Sequence, residues 1–239
     1  SVAIAPAMES AAETGVGRAV LDAVTATRAV VRTNTNLGMA LLFAPLAAVP
    51  NRHPLTTHTV GNVLKALHPH DSKLIYEAIR KARPGGLGKV DEMDVAQQPP
   101  ESLLDAMRAA AGRDLVARQY VEDFRLVLDT QGALLGCLLN GWSLTESIVY
   151  THLQLIADHG DSLIARKCGP VVAEQASAMA AQVLASGHPG DDNYYAAAAD
   201  FDFWLRADGN RRNPGTTADL IAATLFAGLR EGRLQPPWR

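Results

Sequence analysis

The side chains that could do chemistry in this sequence gather in four polar segments set between apolar stretches, and their types suit phosphate and metal binding. The richest is Asp208-Gly-Asn-Arg-Arg-Asn-Pro-Gly-Thr-Thr-Ala-Asp-Leu220. Asn213 has the chemistry of a helix N-cap and Pro214 that of a first helical residue. A helix start offers free N–H groups and partial positive charge, which favour a phosphate. Arg211 and Arg212 add charge upstream, Gly215 lets backbone come close, Thr216 and Thr217 add hydroxyls, and Asp219 could ligate Mg²⁺. The plain structural alternative is a capped helix with two solvated arginines.

In the second segment, Asp161-Ser-Leu-Ile-Ala-Arg-Lys-Cys-Gly169, Asp161 caps a helix while Arg166 and Lys167 follow a turn or so later. That holds a carboxylate near two cations, although a helix start with surface charges reads the same way. The third, Arg83-Pro-Gly-Gly-Leu-Gly-Lys-Val-Asp-Glu92, offers close backbone approach at Gly86 and Gly88, a cation at Lys89, and carboxylates at Asp91 and Glu92. It lacks the spacing and terminal hydroxyl of a Walker A loop, and a solvated acidic turn fits it equally. The fourth, Thr33-Asn-Thr-Asn-Leu-Gly38, places Asn34, Thr35 and Asn36 where they can cap a helix or read the polar edge of a base or sugar.

Other chemistries find little support. The seven histidines show no His-x-x-x-His with a partnering carboxylate, so they read as surface or satisfied polar residues. No Gly-x-Ser-x-Gly elbow is present. Cys137 lies in an apolar run and reads as a small core residue, and Cys168 has no local histidine partner. A net charge of −3 gives no field that would gather nucleic acid or an anionic membrane. The apolar stretches are too short to span a bilayer, and the first residues lack a signal-like core, so the expectation is a cytoplasmic protein.

The elements that must position these segments are helical. Hydrophobic residues make up 48% of the chain and aromatics 5%, with alanine and leucine dominant, which favours close helix packing over a β-sandwich. Apolar residues recur at helical spacing over 3–29, where Gly15 and Gly17 suggest a break between two helices, Leu37–Val49 is apolar on nearly every side, and no run alternates with period two. Further helices are expected at 57–67, at 71–82 with Asp71 or Ser72 as N-cap, from Pro99-Pro100, and at 114–139, 142–159, 162–186, 192–205 and 214–231. The expected architecture is all-α, one domain over residues 1–239 with about ten helices and room for a small hairpin around 84–94.

Taken together, the four segments resemble the triphosphoribosyl-dephospho-coenzyme-A synthase family, an all-helical group that uses ATP to build a prosthetic-group precursor. The family's Asn-Thr-His-Lys-Gly segment is similar to Asn34–Gly38, and its Gly-x-Arg-Gly-Glu-type loop to Gly85–Glu92. Its Asp-Thr-x-x-x-x-Arg-Gly-Gly element resembles Asp161–Gly169, and its Ser-Pro-Gly-Gly-Ser-Ala-Asp-Leu element resembles Asn213–Leu220. Order and spacing agree from Asn34 to Leu229. The family lysine and histidine are here Leu37 and Asn36, and its Arg-Gly-Gly is Lys167-Cys168-Gly169. In this the chain looks like a divergent branch, seen in methanogens and in bacteria with tetrahydromethanopterin-linked metabolism. The family's N-terminal Pro-Lys-Pro-Gly segment would precede residue 1.

The resemblance implies transfer of the triphosphoribosyl group of ATP to a dephospho-CoA-like or other cofactor acceptor, with release of adenine and with Mg²⁺. It implies catalytic carboxylates at Asp161 and Asp219, and metal ligands among Asp91, Glu92, Asp161 and Asp219. Phosphate and substrate contacts would come from Asn34, Thr35, Asn36, Gly86, Gly88, Lys89, Arg166, Lys167, Arg211, Arg212, Asn213, Gly215, Thr216 and Thr217. The expected partners are small-molecule nucleotide and cofactor substrates, with no nucleic acid and no membrane, and a homodimer is left open. A related pterin or cofactor enzyme that keeps its adenine, or a non-catalytic helical binding protein, are the alternative readings.

Overall fold

The computed structural model describes residues 2–31, 36–83 and 98–236. These are helical, with no strand among them. The Asn34–Thr35 pair and the 84–94 segment, including Gly86, Gly88, Lys89, Asp91 and Glu92, lie outside the described residues. The chain divides into two compact units, Ser1–Leu128 and Asp129–Arg239.

In the first unit, a short 3-10 turn at Val2–Ile4 leads into α1 (Ala5–Glu9), α2 (Ala11–Thr14), α3 (Val16–Val30), α4 (Leu37–Ala48), α5 (Thr57–Lys65), α6 (Pro69–Ala82), α7 (Leu103–Ala110) and α8 (Leu115–Val121). The division falls within α9 (Arg125–Leu139). The second unit continues with α10 (Leu144–His159), α11 (Ser162–Cys168), α12 (Pro170–Ala185), α13 (Asp192–Arg206) and α14 (Gly215–Arg230). That makes fourteen α-helices among the described residues, more than the expected ten, because several long periodic stretches are broken. Gly15, at φ 85°, separates α2 from α3. Gly169, at φ 92° and followed by Pro170, separates α11 from α12. Asp123 and Phe124 both take left-handed backbone and split the expected helix 114–139. Buried Gln119 bridges that split, donating to the Leu115 carbonyl and accepting from the Val127 N–H.

Two expected helix starts are corrected. α6 begins at Pro69 with His68 at the N-cap. Asp71 is its third residue and accepts from the His68 N–H with Oδ2 at 2.9 Å. α7 begins at Leu103, three residues after Pro100, because Ser102 supplies the side-chain cap that a proline cannot.

In the first unit α3 buries Val16, Val20, Ala23, Val24 and Thr27 along one face against α4 and α6. Asp71 also accepts from the Gly17 N–H with Oδ1 at 2.9 Å, so one carboxylate joins the starts of α3 and α6. A side chain at Gly17 would place its Cβ 2.6 Å from the Asp71 Cα, so only glycine permits this approach. α4 has no exposed residue, in keeping with its uniformly apolar sequence: seven of its residues are buried, while Gly38, Met39, Phe43, Ala47 and Ala48 are half-buried. It contains Pro45, which has no N–H for the Leu41 carbonyl one turn back. The buried Tyr120 hydroxyl of α8 donates to that carbonyl at 2.7 Å. Burial pushes the phenol well above its usual range, so it stays a donor. Tyr120→Phe is expected to cost about 2 kcal/mol of unfolding free energy in urea titration, because it orphans a buried acceptor.

The second unit is built on α12, whose Ala173, Ala176 and Ala180 let α10, α11 and α13 pack close against it. Leu153, Ile156, Ile164, Val183, Tyr194 and Phe201 fill the space between. Ser143 and Glu146 form a reciprocal capping box that starts α10. Cys137 is buried, as its apolar run implies. No helix of the described residues is long and apolar enough to cross a membrane.

Candidate active site

Three elements of the second unit converge on one carboxylate. Asp161 caps α11 as expected, its Oδ1 accepting from the N–H groups of Leu163 at 2.8 Å and Ile164 at 3.0 Å. Its Oδ2 accepts from Thr217, 56 residues away, through the N–H at 2.8 Å and the hydroxyl at 2.9 Å. One side chain therefore satisfies the starts of α11 and α14 together. α10 contributes His152, whose Nε2 lies 2.9 Å from the Thr217 Oγ1. Ser162 donates to the Thr216 hydroxyl at 3.1 Å, a second link between the two helix starts.

This alters how α14 begins. Asn213 is not its cap and Pro214 is not its first helical residue: Pro214 occupies the N-cap position, with no side-chain cap of its own, and the helix runs from Gly215. The local cap is unnecessary because Asp161 takes the Thr217 N–H from outside the helix. The Gly215 N–H is held by the Asn213 carbonyl at 2.8 Å, and the Ala218 N–H by the Pro214 carbonyl. Gly215 also faces Leu163, whose Cδ2 would stand 2.6 Å from a Cβ there. Thr216 and Thr217 are buried. The start of α14 is thus held largely by protein groups, and its hydroxyls serve the junction between helices.

Asp161 is 1% exposed, and that burial pushes its carboxyl up from the ordinary range against four donors that pull it down. Burial likewise depresses His152 to about 4, so the imidazole is neutral at neutral pH. The single Thr217 hydroxyl proton can go to Asp161 or to the Pro214 carbonyl 3.2 Å away, and the imidazole tautomer sets which of His152 Nε2 and Thr217 Oγ1 is the donor in their contact. Histidine placement was legible in the sequence only as a satisfied polar residue. The signal that singles out His152 is its position on the same helix face as buried Ile156, one turn on.

The expected cations separate into two groups. Arg212 folds back: its guanidinium lies 4.4 Å from the centre of the Trp204 ring and donates to the Trp204 carbonyl at 3.1 Å. Arg211 turns the other way and donates to the Lys167 carbonyl at 3.3 Å, while the Cys168 thiol donates to the Arg211 carbonyl at 3.5 Å. The consecutive left-handed residues Gly209 and Asn210 make the turn that sends neighbouring arginines apart. Arg166, Lys167 and Arg211 are exposed around the end of α11. Asn36 is buried and donates through Nδ2 to the Thr27 hydroxyl at 3.2 Å, which commits part of its amide to α3. Asp219 is half-buried in the second turn of α14.

The described residues hold no cluster of three or more His, Cys, Asp or Glu side chains that could by itself hold a metal ion. What the arrangement provides is a rigid junction of two helix starts, with a polyanion-compatible basic surface at the far end of α11.

The family model for CitG, the ATP:dephospho-CoA triphosphoribosyl transferase, matches residues 1–236. A crystal structure from Archaeoglobus fulgidus, assigned as a triphosphoribosyl-dephospho-coA synthase, is similar over 100% of this chain and 98% of that chain, with TM-score 0.75 and 25% identity. No curated protein matches significantly. With a family model spanning nearly every residue, and an all-helical fold that matches a solved structure from end to end, the chain belongs to the ATP:dephospho-CoA triphosphoribosyl transferase family and is an ATP-dependent transferase.

Proposed function

We propose that the chain transfers the triphosphoribosyl group of Mg·ATP to a hydroxyl of dephospho-CoA and releases adenine. The observation that carries this reading is the full-length family match over residues 1–236. In the step, the bond from ribose C1′ to adenine N9 breaks and a bond from C1′ to the acceptor oxygen forms. The acceptor's hydroxyl proton is lost, and adenine departs carrying a proton. Positive charge develops at C1′ while the triphosphate stays strongly negative, so catalysis asks for fixed cations and a held geometry.

The exposed Arg166, Lys167 and Arg211 fit contacts to the triphosphate, with Arg211 steadied by the Lys167 carbonyl. Arg212, stacked on Trp204, positions the loop in this reading and does not touch phosphate. Asp161 is assigned a positioning role, because its two oxygens already accept four hydrogen bonds and leave no site for a metal. It does not fit Mg²⁺. A Mg²⁺ bound mainly by the phosphates needs only one or two protein carboxylates. Asp219, Asp91 and Glu92 stay candidates for it on the motif resemblance. Asn34, Thr35, Asn36, Gly86, Gly88 and Lys89 stay candidates for substrate contact on the motif resemblance.

The test is incubation of the purified protein with Mg·ATP and dephospho-CoA, with adenine measured by chromatography. Adenine and the triphosphoribosylated acceptor are expected in equal amounts; ATP left intact, or consumed without adenine, overturns the reading. Arg211→Ala is expected to raise KM for ATP about tenfold with a small change in kcat, the loss of one charge-assisted contact to substrate. Its thermal midpoint should hold, since the side chain is exposed.

A further inference from the structure

The outward face of α13 has a symmetry of which the chain's own fold uses little beyond the Tyr195 hydroxyl, which donates to the Glu146 Oε1 at 3.0 Å and accepts from the Gly190 N–H. α13 packs along α12 through Tyr194 and Phe201, which are both buried. On the opposite side lie Asp192, Tyr195, Ala199, Phe203 and Arg206, spaced three, four, four and three residues apart. At about 100° per residue these five fall within a stripe roughly 80° wide. Phe203 is 75% exposed and Tyr195 47% exposed, and large apolar side chains this open on one helix face mark a contact surface.

The stripe reads the same from either end. Reversed about Ala199, Tyr195 exchanges with Phe203 and Asp192 with Arg206. An antiparallel copy of the helix related by a two-fold axis at Ala199 would therefore set each aromatic against the other kind. It would also set each Asp192 against the second copy's Arg206, at both ends. Small alanine at the centre permits the close approach that packed helices need. The acidic start of α13, Asp191 and Asp192, would face the cationic end of its mate, which the two helix dipoles also favour. Arg206 already bonds Asp202 with both carboxylate oxygens at 2.8 Å, which holds the guanidinium at this end of the face.

We propose that α13 is a homodimer interface, in which two copies of the chain pair antiparallel about Ala199 through Tyr195, Phe203, Asp192 and Arg206. A 15-residue helix is roughly 22 Å long, so the pair buries less than the roughly 800 Å² per partner of a standard interface. An interface of this size suits a weak, reversible association, so the pair is expected to form over micromolar concentrations.

The test is sedimentation of the full-length chain between 5 and 200 micromolar. The mass is expected to rise from 25.4 kDa towards twice that value over this range. Phe203→Glu should hold it at the monomer with an unchanged circular dichroism melt. Arg206→Asp should weaken association, and the double variant Asp192→Arg/Arg206→Asp should restore it. In a Cys168→Ser background, Ala199→Cys should cross-link two copies on mild oxidation, while Asn193→Cys on another side of α13 should not. A monomer throughout the range, a dimer indifferent to Phe203→Glu, or equal cross-linking from both cysteines overturns the proposal. Adenine release is read separately, so a failure here leaves the catalytic reading standing.

Discussion

Asp161→Ala is expected to lower the unfolding free energy of the second unit by about 3 kcal/mol and to reduce adenine release about 100-fold at a temperature where the variant is folded. The carboxylate is 1% exposed and accepts from three backbone N–H groups and one hydroxyl. Losing an N-cap alone costs about 1 kcal/mol, and each buried donor left without an acceptor about 1–3 kcal/mol. Two effects reduce the sum. The Thr217 hydroxyl can turn fully to the Pro214 carbonyl, 3.2 Å away, and removing a buried charge relieves its desolvation. The activity loss follows from geometry: α11 and α14 no longer share an anchor, and a small displacement of positioned substrate contacts is costly. Asp161→Asn should fall between. Its oxygen can keep the α11 cap, but its amide group would face the Thr217 N–H donor to donor. Urea titration followed by circular dichroism measures the stability, and a wild-type curve for Asp161→Ala would remove the anchor from the account.

The second large effect is on pH. His152 sits at about 4 in the folded protein against 6.5 for the free side chain, because burial disfavours the imidazolium. Between those values the unfolded chain binds the proton and the folded chain does not. Stability from this group is therefore complete above pH 6.5 and falls as pH drops towards 4. At about 1.4 kcal/mol per pH unit, the loss reaches about 2 kcal/mol by pH 5 and about 3 kcal/mol by pH 4. His152→Gln cannot take up the proton, so its stability should vary less over the same range, and the difference between the two curves isolates this one residue. Parallel curves for wild type and variant would show that His152 is not held neutral by its site.

The sequence by itself determined the helices and their grain. The helical period over residues 3–29 and the apolar run of α4 act between neighbours three or four residues apart, so the elements form as their local pattern requires. The same locality made Asp161 legible as a cap, since its partners Leu163 and Ile164 are two and three residues on. The full-length kinship was legible too, because motif order and spacing survive in one dimension. Local reading failed where a distant group supplied what a neighbour normally would. Asn213 looked like a cap, yet Asp161 does that work for α14 from 56 residues away. Pro45 interrupts a helix whose orphaned carbonyl is met by Tyr120, 79 residues along the chain. Arg211 and Arg212 read as one basic pair, but a left-handed turn and the Trp204 ring send them to different partners. Hydrogen-bond donors and acceptors must be matched once buried, and the chain does not say in advance which of several chemically equal partners packing will bring near. Only the tertiary structure decided that the carboxylate at 161, the hydroxyl at 217 and the imidazole at 152 would become one junction.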